Sequence, residues 1–140
     1  EIKNYSLFRT YRCSPITLFE LQETAVKYLN KKEKEIPFWN LITEPYSSLE
    51  ERCKIIAKSI SFSTTIEKGK SVIGGGTLPS VTLESPILLI EYEKTGNIIN
   101  QLIKNDIPIV PRIIKDRVCL DLRSVFNDQD AAIVQALNNT

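Results

Sequence analysis

Hydrophobic positions along the chain change period, and each change marks an element boundary. Leu18, Leu21, Ala25 and Tyr28 recur at helical spacing, which predicts an amphipathic helix over residues 16–30. Ser14 can cap it, Pro15 suits its first turn, and Thr17-x-x-Glu20 has the spacing of a capping box. Phe38 to Ile42, between Pro37 and Pro45, predicts one helical turn with apolar anchors. Leu49, Cys53, Ile56, Ala57 and Ile60 then form a second helical stripe. Its start is expected at Ser47 or Ser48, because Ser47-x-x-Glu50 and Ser48-x-x-Glu51 both match the capping-box pattern.

Past Ile60 the pattern alternates. Phe62, Thr64 and Ile66 share one face of a strand ending at Lys68-Gly69-Lys70, and Val81 and Leu83 alternate toward Pro86. Ile87-Leu88-Leu89-Ile90 is continuous and apolar, the mark of a central strand covered on both faces or buried by a partner. Thr95 is expected to cap a short helix carrying Ile98, Ile99, Leu102 and Ile103. Residues 107–114 and 117–122 read as strands joined by the tight polar turn Lys115-Asp116. Asn127, with Asp128 and Asp130 in the favourable first turn, opens a last helix with Ile133, Val134 and Leu137. This order predicts an α/β (α+β) two-layer sandwich, a small and mostly antiparallel sheet with helices on one face. The helix of residues 16–30 stands ahead of that unit, separated by the charged connector Lys31-Lys32-Glu33-Lys34-Glu35. That helix is therefore expected to bridge to a further domain rather than to join the sandwich.

Composition narrows the chemistry. The 140 residues are 42% hydrophobic and 25% charged, one domain's worth of an ordinary globular chain. A net charge of +1 argues against an autonomous nucleic-acid footprint. The longest apolar run, Pro86 to Ile90, is far too short to span a bilayer. There is no histidine, which removes Ser-His-Asp triads, Cys-His dyads and the common histidine zinc sites. Cys13, Cys53 and Cys119 are odd in number and far apart, fitting a reducing cytoplasm better than a disulfide framework. No metal site is expected. The chain holds no methionine, and we expect it to be a piece of a longer protein.

Two stretches carry candidate chemistry. Gly74-Gly75-Gly76, within Ser71 to Pro79, can take positive φ and allow close approach by a ligand or another chain. The plain alternative is a flexible loop between strands, and the spacing is not that of a dinucleotide loop. Arg9 and Arg12 stand three apart and can converge on one anion, since each guanidinium offers a planar fork of donors. The alternative is two solvated arginines. Lys31, Lys32, Lys34, Lys68 and Lys70 are candidate phosphate contacts or simply solvated surface.

Read together, the stretches Leu7-Phe8-Arg9-Thr10-Tyr11-Arg12, Val72-Ile73-Gly74-Gly75-Gly76-Thr77-Leu78-Pro79 and Pro111-Arg112 with Val118-Cys119-Leu120-Asp121-Leu122-Arg123 resemble the C-terminal part of the bacterial selenocysteine synthases, the L-seryl-tRNA(Sec) selenium transferases. The resemblance runs from about Leu7 to Leu137. It implies a pyridoxal-phosphate enzyme of fold type I that converts seryl-tRNA(Sec) to selenocysteinyl-tRNA(Sec) with selenophosphate, with the cofactor acting as electron sink. On this resemblance residues 1–30 are the end of the large domain and its connecting helix, and residues 31–140 the small domain. The cofactor lysine lies upstream, so no catalytic residue is expected in this chain and the chain alone is expected to be inactive. Arg9 and Arg12 fall where the family binds the phosphate group of selenophosphate. Arg112 falls where related enzymes place an arginine near the substrate carboxylate; its alternative is an ion pair beside the hairpin. Together with Gly74, Gly75 and Gly76 it is expected to face the cleft. The family further implies a cytoplasmic homo-oligomer with no membrane contact. Ser14-Pro15 stands where the family usually has Asp-Lys, and Thr10-Tyr11 where it has Ala-Leu. A related pyridoxal-phosphate lyase without tRNA, or a non-catalytic α/β binding module, are the alternatives.

Overall fold

A computed structural model describes residue 7 and residues 10–73, 81–92 and 95–140. The chain divides into two compact units, residues 1–40 and 41–140. In the first, helix α1 (Pro15–Leu29) starts where Ser14 Oγ accepts from the Thr17 amide, with Pro15 in the first turn. The backbone then turns through Lys31, in the left-handed region at φ 56°, into a 3-10 turn (Glu33–Glu35). Trp39 Nε1 donates to Tyr28 Oη at 2.7 Å. Helix α2 (Pro37–Thr43) follows; the single turn expected around Phe38–Ile42 is thus seven residues long.

The second unit is the two-layer sandwich. Helix α3 (Tyr46–Ser59) leads into strands β1 (Thr64–Val72) and β2 (Thr82–Ile90), helix α4 (Thr95–Lys104), strands β3 (Arg112–Ile114) and β4 (Arg117–Asp121), and helix α5 (Asp130–Asn138). The sheet order is β1-β2-β4-β3 and every pairing is antiparallel. Strand β2 is central, so the unbroken apolar run Ile87–Ile90 is buried on both faces as its pattern requires. On one face Leu88, Ile90, Val118 and Leu120 pack with Leu49, Cys53 and Ile56 of α3, Ile98 and Leu102 of α4, and Ile133 and Leu137 of α5. These helices all lie on that face. On the other face Ile87, Leu89 and Cys119 form a smaller apolar strip flanked by Ile114. Arg117 reaches across from β4 to β1, donating to Thr65 Oγ1 and Glu67 Oε1 at 3.0 and 2.9 Å. Gly69 lies over the same strip, and a Cβ there would come within 2.7 Å of Ile87 Cγ2.

Several details depart from the local sequence patterns. Strand β1 runs past Lys68-Gly69-Lys70, where the pattern ends it, to Val72. Helix α3 begins before both serines: Pro45 is its N-cap, and Ser48 Oγ donates to the Glu44 carboxylate rather than capping. Proline tolerates the first positions of a helix because its missing N–H is unneeded there. Strand β3 is shortened to three residues, since Pro108 and Pro111 cannot donate to a ladder. The 3-10 turn Asn127–Gln129 intervenes before α5, with Gln129 Oε1 accepting from the Phe126 amide at 3.3 Å. The turn Lys115-Asp116 holds, with both residues at positive φ (50° and 59°), the geometry a two-residue hairpin selects.

One buried ion pair ties α3 to α5. Arg52 Nε and Nη2 donate to Asp130 Oδ2 and Oδ1 at 2.8 and 2.7 Å, and Nη2 also reaches the Val125 carbonyl at 3.0 Å. The hydrogen bond to Asp130 raises the Arg52 guanidinium above its ordinary value, against the opposing effect of burial.

Candidate functional site

Arg112, Asp121 and Arg123 come together at the end of β4. Strand alternation puts Arg117, Cys119 and Asp121 on the face away from the helices. The Asp121 carboxylate, only 12% exposed, accepts from Ser71 Oγ at 2.5 Å, Ser85 Oγ at 2.8 Å, Arg112 Nη2 at 3.1 Å and the Arg123 amide at 3.2 Å. Four donors fill the four lone-pair sites a carboxylate offers. Ser85 is fully buried, so without Asp121 its hydroxyl would be left unpaired at a cost.

Two residues on, Arg123 turns its buried side chain to the backbone. Its Nη1 donates to the Ile42 and Glu44 carbonyls at 3.1 and 3.0 Å, and Nη2 to the Glu84 carbonyl at 2.8 Å. Its Nε is buried without a hydrogen-bond partner among the described atoms. A planar fork of donors can collect carbonyls from two segments in this way.

Of the residues singled out by sequence, Arg112 lies on the edge strand β3. It pairs with Asp121, its Nη1 sits 3.5 Å from the Lys70 carbonyl, and its side chain is 46% exposed. The ion pair beside the hairpin is therefore present, and about half of the side chain still faces solvent. Arg12 is exposed and stands two residues before the α1 cap. Arg9 and Gly74, Gly75 and Gly76 lie outside the described residues. Lys32 pairs with Glu35 at 3.1 Å; Lys31, Lys34, Lys68 and Lys70 are exposed. Sequence patterns did not single out Ser71, Ser85 or the Arg52–Asp130 pair. Asp121 and Arg123 had one signal, their place in a stretch that matched as a block.

The two buried thiols, Cys53 and Cys119, are not poised for chemistry. Burial pushes the Cys53 thiol up to about 12. Burial also raises Cys119, and the nearby Arg112 guanidinium offsets this only in part. No group of three or more carboxylates and thiols suited to a metal lies together among the described residues. Nor is any described helix long and apolar enough to cross a membrane. The described lysines do not fit a covalent pyridoxal-phosphate site. All are exposed or half-exposed, and those with a partner meet a surface carboxylate or carbonyl, as Lys27, Lys32 and Lys54 do.

A small antiparallel sheet with helices on one face, and charged side chains ordered on the other around one carboxylate, defines the class: a compact α/β module. Comparison with known proteins makes it specific. A family model described as L-seryl-tRNA selenium transferase matches residues 1–126, and the chain belongs to that family. The L-seryl-tRNA(Sec) selenium transferase of Clostridium perfringens (strain ATCC 13124) is 32% identical over 98% of the chain, but over 32% of the relative. That of Alkaliphilus oremlandii is 31% identical over 99% of the chain and 32% of the relative. That of Campylobacter jejuni (strain RM1221) is 28% identical over 99% and 31%. The chain thus spans about a third of the length of these relatives. All three relatives carry the transferase name.

Proposed function

We propose that the chain is the C-terminal part of a pyridoxal-phosphate-dependent selenium transferase that converts seryl-tRNA(Sec) to selenocysteinyl-tRNA(Sec) with selenophosphate. The observation that carries this reading is the family match over residues 1–126, which takes in all three stretches of the resemblance. Residues 1–30 would complete the large domain and its connecting helix, and residues 31–140 the small domain. The cofactor would be held by residues outside this chain. The enzyme would work as a cytoplasmic homo-oligomer.

Within that frame each residue has a role its chemistry suits. Arg9 and Arg12 would bind the phosphate group of selenophosphate through charge-assisted, forked hydrogen bonds. Gly74, Gly75 and Gly76 would let the small domain approach the cleft without a Cβ in the way. Arg112, paired on one edge and open on the other, would face the same cleft.

The test is substitution in the full-length parent. Arg12→Ala is expected to raise the selenophosphate requirement roughly tenfold to a hundredfold, the worth of one charge-assisted contact, with little change in binding of the aminoacyl-tRNA. Equal loss for both substrates would refute the selenophosphate role. A parent that forms no selenocysteinyl-tRNA at all would refute the transferase reading.

A further inference from the structure

We infer that Asp121 is a positioning residue, which locks the outer half of the β1–β2 hairpin and the Arg112 guanidinium into one arrangement. The ladders show why such a lock is needed. Strand β4 stops pairing with β2 at Ile87↔Asp121, whereas β1 and β2 stay paired as far as Val72↔Thr82. Residues 68–72 and 82–86 therefore form a ribbon with no third strand beside it among the described residues. A two-stranded ribbon alone is marginal in water, so its direction depends on what ties it down.

Its ties converge on one place. Ser71 of β1 and Ser85 of β2 both donate to Asp121, one to each carboxylate oxygen. Arg112, on the far side of β4, donates to the oxygen that Ser71 uses and reaches the Lys70 carbonyl of the ribbon. The Glu84 carbonyl is taken by Arg123, whose own amide donates to Asp121. One carboxylate thus fixes both strands of the ribbon and the arginine together. Neutralising it should loosen all three at once, whereas removing the serines should loosen the ribbon only.

The experiment uses the 140-residue chain. In Asp121→Asn, amide exchange at 68–72 and 82–86 is expected to accelerate roughly tenfold, the worth of a lost charged hydrogen bond, while exchange at 87–90 and 118–120 keeps its rate. Modification of Arg112 by phenylglyoxal, mapped by mass spectrometry against exposed Arg12 as internal reference, should rise in the same variant. Ser71→Ala/Ser85→Ala should reproduce the exchange change without the change at Arg112. Uniform acceleration across the sheet in both variants, or an unchanged Arg112 in Asp121→Asn, would overturn the inference. Its consequence for catalysis rests on the transferase reading: in the full-length parent, Asp121→Asn should raise KM for the aminoacyl substrate with kcat nearly unchanged. An active Asp121→Asn parent with normal KM would overturn the positioning of Arg112 for substrate. A wild-type parent without transferase activity would overturn the transferase reading and leave the exchange result standing.

Discussion

Removing the guanidinium of Arg52 is the sharpest test of what holds the sandwich together. Arg52→Ala deletes two hydrogen bonds to Asp130, at 2.8 and 2.7 Å, and the bonds to the Val125 and Leu122 carbonyls at 3.0 and 3.4 Å. The arginine side chain is 10% exposed and the Asp130 side chain 23%. Breaking a buried pair from one side costs roughly 3–5 kcal/mol, because the other charge is left without its partner. Water can reach the partly open carboxylate and recover some of the lost bonding, which places the loss near the bottom of that range, about 3 kcal/mol. Asp130→Asn keeps one acceptor and should cost less, about 2 kcal/mol. The two changes remove the same contact, so the double variant should cost less than their sum by about 2 kcal/mol. Urea unfolding followed by circular dichroism reads all three values, given an unchanged slope m. A loss below about 1 kcal/mol for Arg52→Ala, the range of an exposed pair, would refute the claim that this contact anchors α5 to α3.

Two further outcomes follow from packing and burial. Gly69→Ala places a methyl 2.7 Å from Ile87 Cγ2, and Ile87 is a stiff, buried side chain, so urea unfolding should show a loss of about 1–3 kcal/mol; a neutral change would mean that the ribbon shifts freely. Cys53 is held protonated up to about 12 against an ordinary 9.0, so the unfolded chain loses its thiol proton first as pH rises. Stability from this group is therefore complete below pH 9 and falls between 9 and 12, by about 1.4 kcal/mol at pH 10. Comparing unfolding at pH 8 and pH 10 in the wild type and in Cys53→Ala checks this, and an equal decline in both would assign the effect elsewhere.

Much of this fold could be read from local pattern, because local pattern reports what each element buries. The stripe Leu49, Cys53, Ile56, Ile60 marked α3, and the run Ile87–Ile90 marked a strand covered on both faces. Boundaries were less legible where a side chain had a competing partner. Ser48 matches a capping box, yet it donates to Glu44 one turn back, and the helix starts at Tyr46. The Arg52–Asp130 ion pair and the Ser71–Asp121 hydrogen bond were invisible for a different reason. Arg52 and Asp130 lie 78 positions apart, and Ser71 and Asp121 lie 50 apart; no spacing rule connects such residues before the chain is folded. Asp121 at a strand end reads as a solvated charge until Ser71 and Ser85 are seen to share it. Of the candidate site, the structure places Arg12 and Arg112, while Arg9 and the glycine triplet lie outside the described residues.

The outer strands of the sheet carry a consequence for behaviour at high concentration. An exposed strand edge offers unpaired amides and carbonyls to any other strand it meets. Here β3 presents only Arg112–Ile114, preceded by two prolines that cannot donate, and β1 carries exposed Lys68 and Lys70. Two copies meeting edge to edge would bring lysine against lysine at one border and find too few amides at the other. The same prolines that shorten β3 thus keep the sheet from growing from one molecule into the next.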